Sequence, residues 1–174
     1  MDPKRYKYVG PEEIRQRTVG QSDRACIRQH EDLRQWIVRA EPIASRRSYV
    51  PATYIVDPQR QLWVADGRSE HVACAAGDDV LAAGELVFAE HRGRFEVIAA
   101  TNQSTGYCPE PECWSVLEAV LDALQITRPP AFTAAFDFRR CDGCGTTNLI
   151  KDSVFECAVC RSALSQKWNF DQSD

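Results

Sequence analysis

TYIVDPQRQLWVADGRSEHVACAAGDDVLAAGELVFAEHRGRFEVIAAT, residues 53–101, decides the fold. Short runs of alternating apolar and polar residues are separated by Gly, Pro, Asp and Ser, the pattern of half-buried strands joined by turns. TYIV and LWVAD flank the turn DPQRQ and read as a hairpin. HVACA, after the Gly67-Arg68-Ser69 turn, is the expected third strand, and ELVFAEH and RFEVIAAT fold about Arg92-Gly93 as the fourth and fifth. The expectation is an antiparallel meander whose inner face includes Ile55, Trp63, Val72, Leu86, Phe88, Phe95 and Val97.

Helical patterns lie on both sides of this stretch. Pro11 opens PEEIRQR, with acids in the first turn where the helix dipole favours them. A longer helix is expected from a Ser22-Asp23 cap to about Ala40, burying Ile27, Leu33, Trp36 and Ile37 and ending at Glu41-Pro42. Its arginines, Arg24, Arg28, Arg34 and Arg39, read as a solvated face. After the strands, CWSVLEAVLDALQI carries apolar residues at 114, 117, 121 and 124, a stripe that can lie on a sheet. Pro111 suits the first turn of that helix, Pro129-Pro130 stops it, and FTAAFDF returns to extended chain.

Working outward to the C-terminus, RRCDGCGTTNLIKDSVFECAVCRSALSQKWNF contains Cys141, Cys144, Cys157 and Cys160 in a C-x2-C, twelve-residue gap, C-x2-C arrangement. Each pair sets two thiolates on one tight turn, and two such turns facing each other make a sulfur tetrahedron for Zn²⁺. Four protein ligands leave no open position for water, so the expected cofactor is one structural Zn²⁺. Asn148–Lys151 and Ser153–Glu156 read as the arms of a short hairpin between the turns, and Trp168 and Phe170 as the residues that pack this zinc ribbon on the core.

The chain has 174 residues and a net charge of −4. No apolar run approaches the ~20 residues of a membrane span, and the N-terminal stretch lacks the apolar core of a secretory signal. Eight cysteines with metal-like spacing fit a reducing, cytoplasmic setting. Residues 51–136 hold five basic against twelve acidic side chains, a charge that repels a phosphate backbone. Nucleic acid is therefore disfavoured as a partner, and only Arg139-Arg140 and the N-terminal arginines keep it open.

Between the fifth strand and the following helix lies TNQSTGYCPEPECW, a polar loop where a site can sit. Asn102, Gln103, Ser104 and Tyr107 are candidate ligand-binding groups, with Glu85 brought near them if it stands opposite Ala100. The alternative is a structured connection whose polar side chains satisfy local backbone. His71, Glu85, Ser104 and Tyr107 are the candidate catalytic set if the chain is an enzyme, although regular pairing leaves His71 several residues from Glu85. Cys26, Cys74 and Cys113 read as packing, and Cys108 stays open. No phosphate-binding loop, dinucleotide fingerprint, G-x-S-x-G or H-E-x-x-H occurs.

HVACAAGDDVLAAGELVF and GRFEVIAATNQSTGYCP together resemble a module of the form H-S-S…G-x-x-V-x-x-A-G-E…G…N-x-S-G-H-Y-x-P. It occurs in C-terminal domains of bacterial polymorphic toxins and in plant IQ-motif proteins. The whole chain also resembles small, mostly uncharacterised bacterial proteins that append a four-cysteine ribbon. The module covers roughly residues 71–109, matching at His71, Gly77, Val80, Ala83, Gly84, Glu85, Asn102, Ser104, Tyr107 and Pro109. Val72 and Ala73 replace its serines, and Gly106 stands where its second histidine would. The resemblance implies a shared site, and the retention of Asn102 and Tyr107 without the second histidine points to a binding or degenerate site.

The expected architecture is α+β: an N-terminal helical segment (1–48), an antiparallel β-meander with packed helices (49–136) carrying the polar loop 101–111, and a zinc ribbon (137–174). The leading functional expectation is a zinc-stabilised protein that recognises a partner protein or small ligand through a pocket at 102–109. A transferase or hydrolase, and a ribbon that binds nucleic acid, are the alternatives.

Overall fold

The computed structural model describes residues 2–20, 23–44 and 49–170, with backbone alone for 41–44. The fold is α+β. Its main sheet has five strands: β1 (Ala25–Ile27), β2 (Tyr49–Val56), β3 (Leu62–Asp66), β4 (Ala82–His91) and β5 (Arg94–Ala100). Every pairing is antiparallel, in the order β1-β3-β2-β4-β5.

Two expectations change within this sheet. HVACA is not a strand: His71–Cys74 form the short helix α3, closed by Cys74 N–H to Glu70 O and Ala75 N–H to His71 O. Ala76 and Gly77 then take positive φ, which ends the turn and lets Gly77 N–H reach Val72 O. With that strand gone, β4 pairs directly with β2, from Tyr49↔Ala89 to Val56↔Ala82. The missing position is filled from the other direction. Residues 25–27, read as helix from sequence, are extended and pair with β3 at Ala25↔Val64 and Ile27↔Leu62.

Helix α2 consequently begins at His30, and its backbone runs through Pro42 to Ala44. Ser22 lies outside the described residues; the first turn instead carries Glu31 and Asp32, and Asp32 Oδ2 accepts from Arg28 N–H. Leu33, Trp36 and Ile37 are buried at true helical spacing, and Trp36 meets Phe88 edge-on with centroids 6.3 Å apart. Helix α1 (Glu12–Thr18) buries no residue; Arg15 ties it to the turn after α3 by donating to the Gly77 carbonyl.

Of the expected inner face, Ile55, Val72, Leu86, Phe88 and Val97 are buried, while Trp63 and Phe95 are half-buried against the core. The β4–β5 turn falls on Arg92-Gly93, both with positive φ, as a two-residue hairpin requires. Its register differs by one residue from simple pairing: Leu86, not Glu85, faces Ala100, because a bulge between Val87 and Phe88 adds Ile98 to β5. The outer edge of β5 is covered, since Val97 N–H donates to Thr127 O and Ala100 exchanges bonds with Thr133. Covering it removes a free sheet edge.

Pro111–Cys113 form a 3₁₀ turn that leads into α4 (Trp114–Ala123), whose Leu117 and Leu121 are fully buried. No helix of the described residues is long and apolar enough to cross a membrane. In the C-terminal part, β6 (Asp137–Arg140) pairs with β7 (Thr147–Ile150), so the Asn148 arm finds its partner upstream of the cysteines. The expected 148–151/153–156 hairpin shrinks to one bridge, Lys151↔Val154, and Glu156 bridges Ala163 instead. Trp168 and Phe170 do pack this part on the core: Trp168 meets Tyr6 edge-on at 5.7 Å, and both rings join the Cys108–Phe138 cluster.

Candidate functional site

Cys141, Cys144, Cys157 and Cys160 converge, all four Sγ atoms lying within 4.8 Å of one another. The two turns that carry them repeat one geometry. Gly145 N–H reaches Cys141 O at 2.8 Å and Arg161 N–H reaches Cys157 O at 3.0 Å, and both closing residues have positive φ. Cys141 N–H donates to Thr146 O and Cys157 N–H to Ser162 O. Cys144 Sγ lies 3.3 Å from the Thr146 hydroxyl and Cys160 Sγ 3.2 Å from that of Ser162. At Gly143 the facing turns come close: a Cβ there would stand 2.9 Å from Ser162 Oγ, so any other residue would displace that hydroxyl from Cys160 Sγ.

Sulfur contacts run between the turns, Cys141 to Cys160 at 3.4 Å and Cys144 to Cys157 at 3.6 Å. A tetrahedron with metal–sulfur bonds of about 2.3 Å has sulfurs about 3.8 Å apart, so the four groups can hold such an ion. Backbone N–H groups of Cys160 and Val159 aim at Cys157 and lower its pKa, and the Ser162 hydroxyl and N–H lower that of Cys160. The Cys144 N–H pulls Cys141 down as well, but burial and bonds shared with Cys160 and Cys157 outweigh it and raise that thiol. Asn148 is a supporting residue that the spacing did not reveal. Its Oδ1 accepts from Ala158 N–H at 3.0 Å, while Nδ2 donates to Thr146 O at 2.9 Å and lies 3.6 Å from Cys157 Sγ. Nothing in the sequence of the strand Thr147–Ile150 marks it; its burial emerges only in the fold.

The polar loop faces inward. Asn102 is 0% exposed; its Nδ2 donates to Pro109 O (2.8 Å) and Phe136 O (2.7 Å), and its Oδ1 accepts from Phe136 N–H (2.7 Å). Tyr107 is equally buried and donates its hydroxyl to Asp78 O at 2.7 Å. Ser104 is buried, and its hydroxyl meets no partner among the described residues. These three side chains therefore do not open into a pocket at 102–109. The N-terminal chain lies over them: Val9 N–H donates to Gly106 O, and the Tyr8 ring meets Tyr107 edge-on at 5.6 Å. Gln103, Thr105 and Glu85 remain exposed. Thr101 Oγ1 accepts from the backbone N–H of both Glu85 (3.3 Å) and Gln103 (3.2 Å), which holds these two residues side by side.

The four candidate catalytic residues are not gathered around one point. His71 Nε2 lies 2.9 Å from Gly84 O, which can only accept, so Nε2 carries the proton. Glu85 is on the exposed surface, Ser104 is enclosed and the Tyr107 hydroxyl is spent on Asp78. Burial pulls the His71 pKa from 6.5 down to about 4, against the opposing pull of the Gly84 bond. Between those values the unfolded chain binds a proton that the folded chain refuses, so stability falls as pH drops through this window, by roughly 2 kcal/mol between pH 7 and pH 5. His71→Gln, whose amide can keep the Gly84 bond, is expected to show a smaller loss of urea midpoint between pH 7 and pH 5 than the parent. Equal losses in the two proteins would exclude His71 as the source.

The other candidates sort cleanly. Burial raises the thiol pKa of Cys74, Cys108 and Cys113 to about 12, which suits packing. Arg139 is buried, donating to Phe138 O and Gln166 O, and Arg24 lies over Trp63 and donates to Cys74 O. Two of the cations that kept nucleic acid open are thus structural, while Arg28, Arg34, Arg39 and Arg140 are exposed. The fold and centre define an α+β chain with a four-cysteine cluster able to hold a metal ion. No family model matches the chain, and neither a curated protein nor a solved structure matches it.

Proposed function

We propose that this chain is a zinc-stabilised protein-recognition module that binds a partner protein across the surface formed by Glu85, Gln103 and Thr105. Zinc is the ion favoured by four thiolates set on paired tight turns, and a closed set of four ligands gives it a structural role. Such thiolates persist in a reducing compartment, which favours the cytoplasm. The observation that carries the reading is the division of the loop into two sides. Asn102, Ser104 and Tyr107 build the interior, whereas Glu85 and Gln103 are fixed next to one another at the surface by Thr101. Val87, two residues along β4, shares the face of Glu85 and is half-buried, so apolar area adjoins the polar pair. The toxin-like module is then a scaffold that presents a surface, consistent with the loss of its second histidine.

The test is comparative affinity capture with the parent and a Glu85→Lys/Gln103→Ala double variant. Both sites are exposed, so the double change should cost less than about 1 kcal/mol of stability. A protein retained by the parent should be lost by the variant at unchanged melting temperature. Equal retention of every captured protein would overturn the surface assignment.

A further inference from the structure

The four-cysteine part of the chain grips the polar loop from two directions. Ahead of β6, Phe136 exchanges backbone hydrogen bonds with the Asn102 amide at 2.7 Å each. Beyond the second cysteine turn, Trp168 Nε1 donates to the Cys108 carbonyl at 2.7 Å. Between these clasps the Cys108 side chain is 0% exposed, packed against Phe138 and Phe170 with Phe136, Leu149 and Val9 around them. Trp168 is held in turn by the edge of Tyr6 and by the Lys4 ammonium, 3.3 Å from the ring centroid, while Lys4 also pairs with Glu110 at 2.9 Å.

The two ends of this grip differ in what supports them. The main core contains Leu33, Tyr54, Phe88, Leu117 and many more buried side chains, none of them a cysteine of the cluster. The cluster's own interior consists of Cys141, Cys157 and Leu164, with Ile150 and Phe155 against them. Two of its three buried residues are metal ligands, so the ion supplies most of what holds that shape. The chain leading to Trp168 leaves directly from the second cysteine turn.

Resting on the zinc reading above, we propose that residues 164–170 form a metal-dependent latch: with zinc bound they seal Cys108 and brace the 102–109 loop, and on loss of zinc they swing away while the five-stranded sheet stays folded. Gln103 and Thr105 lie on the braced loop, so metal occupancy sets the shape of the recognition surface.

Cys108 is itself the reporter, and Cys74, buried in the main core, is the control. Iodoacetamide labelling is followed peptide by peptide in the full chain, with zinc counted by elemental analysis. In zinc-loaded protein both thiols should label slowly. After chelation Cys108 should label at least about tenfold faster while Cys74 does not change, the pattern of a local opening. Trp168→Ala that retains its zinc should expose Cys108 in the same way. The latch is overturned if Cys108 stays sealed after zinc is removed, if Cys108 and Cys74 open together, or if zinc-bearing Trp168→Ala protects Cys108 as the parent does. Protein purified without stoichiometric zinc fails the metal reading itself, a separate result from zinc-bearing protein whose Cys108 ignores chelation.

Discussion

With zinc as the proposed ion, Cys157→Ser is expected to bind no zinc after dialysis at neutral pH and to release the C-terminal part of the chain, seen as a shifted Trp168 emission and rapid proteolysis beyond residue 150. Cys157 is fully buried and lies 3.6 Å from Cys144 Sγ, with the Asn148 amide at the same distance. The N–H groups of Cys160 and Val159 point at it and favour its thiolate. A serine hydroxyl in that place keeps its proton at neutral pH and is a poor ligand, so the tetrahedron loses a corner. Structural zinc binds zinc-finger peptides with about 10–16 kcal/mol, and that binding energy is folding energy. With a buried interior of only Cys141, Cys157 and Leu164, this part of the chain has little to fall back on. The main sheet should still melt cooperatively, because its core lies elsewhere. A variant that keeps one equivalent of zinc and melts at the parent temperature would refute this account.

The cysteine centre was legible because metal-ligand spacing is local: C-x2-C on a tight turn specifies its geometry without reference to the rest of the chain. The hairpins over 53–66 and 85–101 were legible for a similar reason, each joining period-two alternation to a turn with the right residues. HVACA was not. Its Ala and Cys residues fit a strand or a helical turn equally well, and a run of five is too short for periodicity to decide. The left-handed Ala76-Gly77 pair and the Glu70 carbonyl settled it as helix. Cys26 and Ile27 are the reverse case, helical by local pattern but extended in the fold, because their pairing partner, β3, stands more than thirty residues away. Long-range pairing leaves no local trace.

The polar loop carried a different ambiguity. Sequence shows which side chains can hydrogen-bond but not whether their partner is a ligand or the chain's own backbone. Asn102 resolved toward backbone, joining 109 and 136, distant positions that no local pattern connects. Gly106 illustrates the same point. It stands where the module it resembles has a histidine, and a Cβ there would lie 2.8 Å from the Tyr8 ring. The departure is therefore matched by the N-terminal chain crossing the loop, a relation between residues almost a hundred positions apart. Local chemistry named the groups, and tertiary packing decided which way they face.

Gly84→Ala should be the most damaging single methyl addition in the sheet. Gly84 pairs with Tyr54 in the β2–β4 ladder, and a Cβ on it would overlap the Thr101 carbonyl while lying 2.8 Å from its carbon. The obstacle is backbone, which cannot rotate aside as a flexible side chain would. That carbonyl also accepts the buried Tyr54 hydroxyl at 3.0 Å, and the Gly84 carbonyl receives His71, so displacement disturbs two further bonds. Overpacking alone costs about 1–3 kcal/mol, and a strained buried hydrogen bond adds about 1 kcal/mol more. For a chain of this size roughly 3 kcal/mol lowers the melting temperature by about 6–12 °C. Gly93→Ala separates this cause from general glycine effects. Gly93 has φ +78° but nothing within 4 Å of its Cβ position, so its substitution carries backbone strain alone, about 1–2 kcal/mol. If Gly84→Ala melts no lower than Gly93→Ala, the close approach of β4 to Thr101 is not what selects glycine at this position.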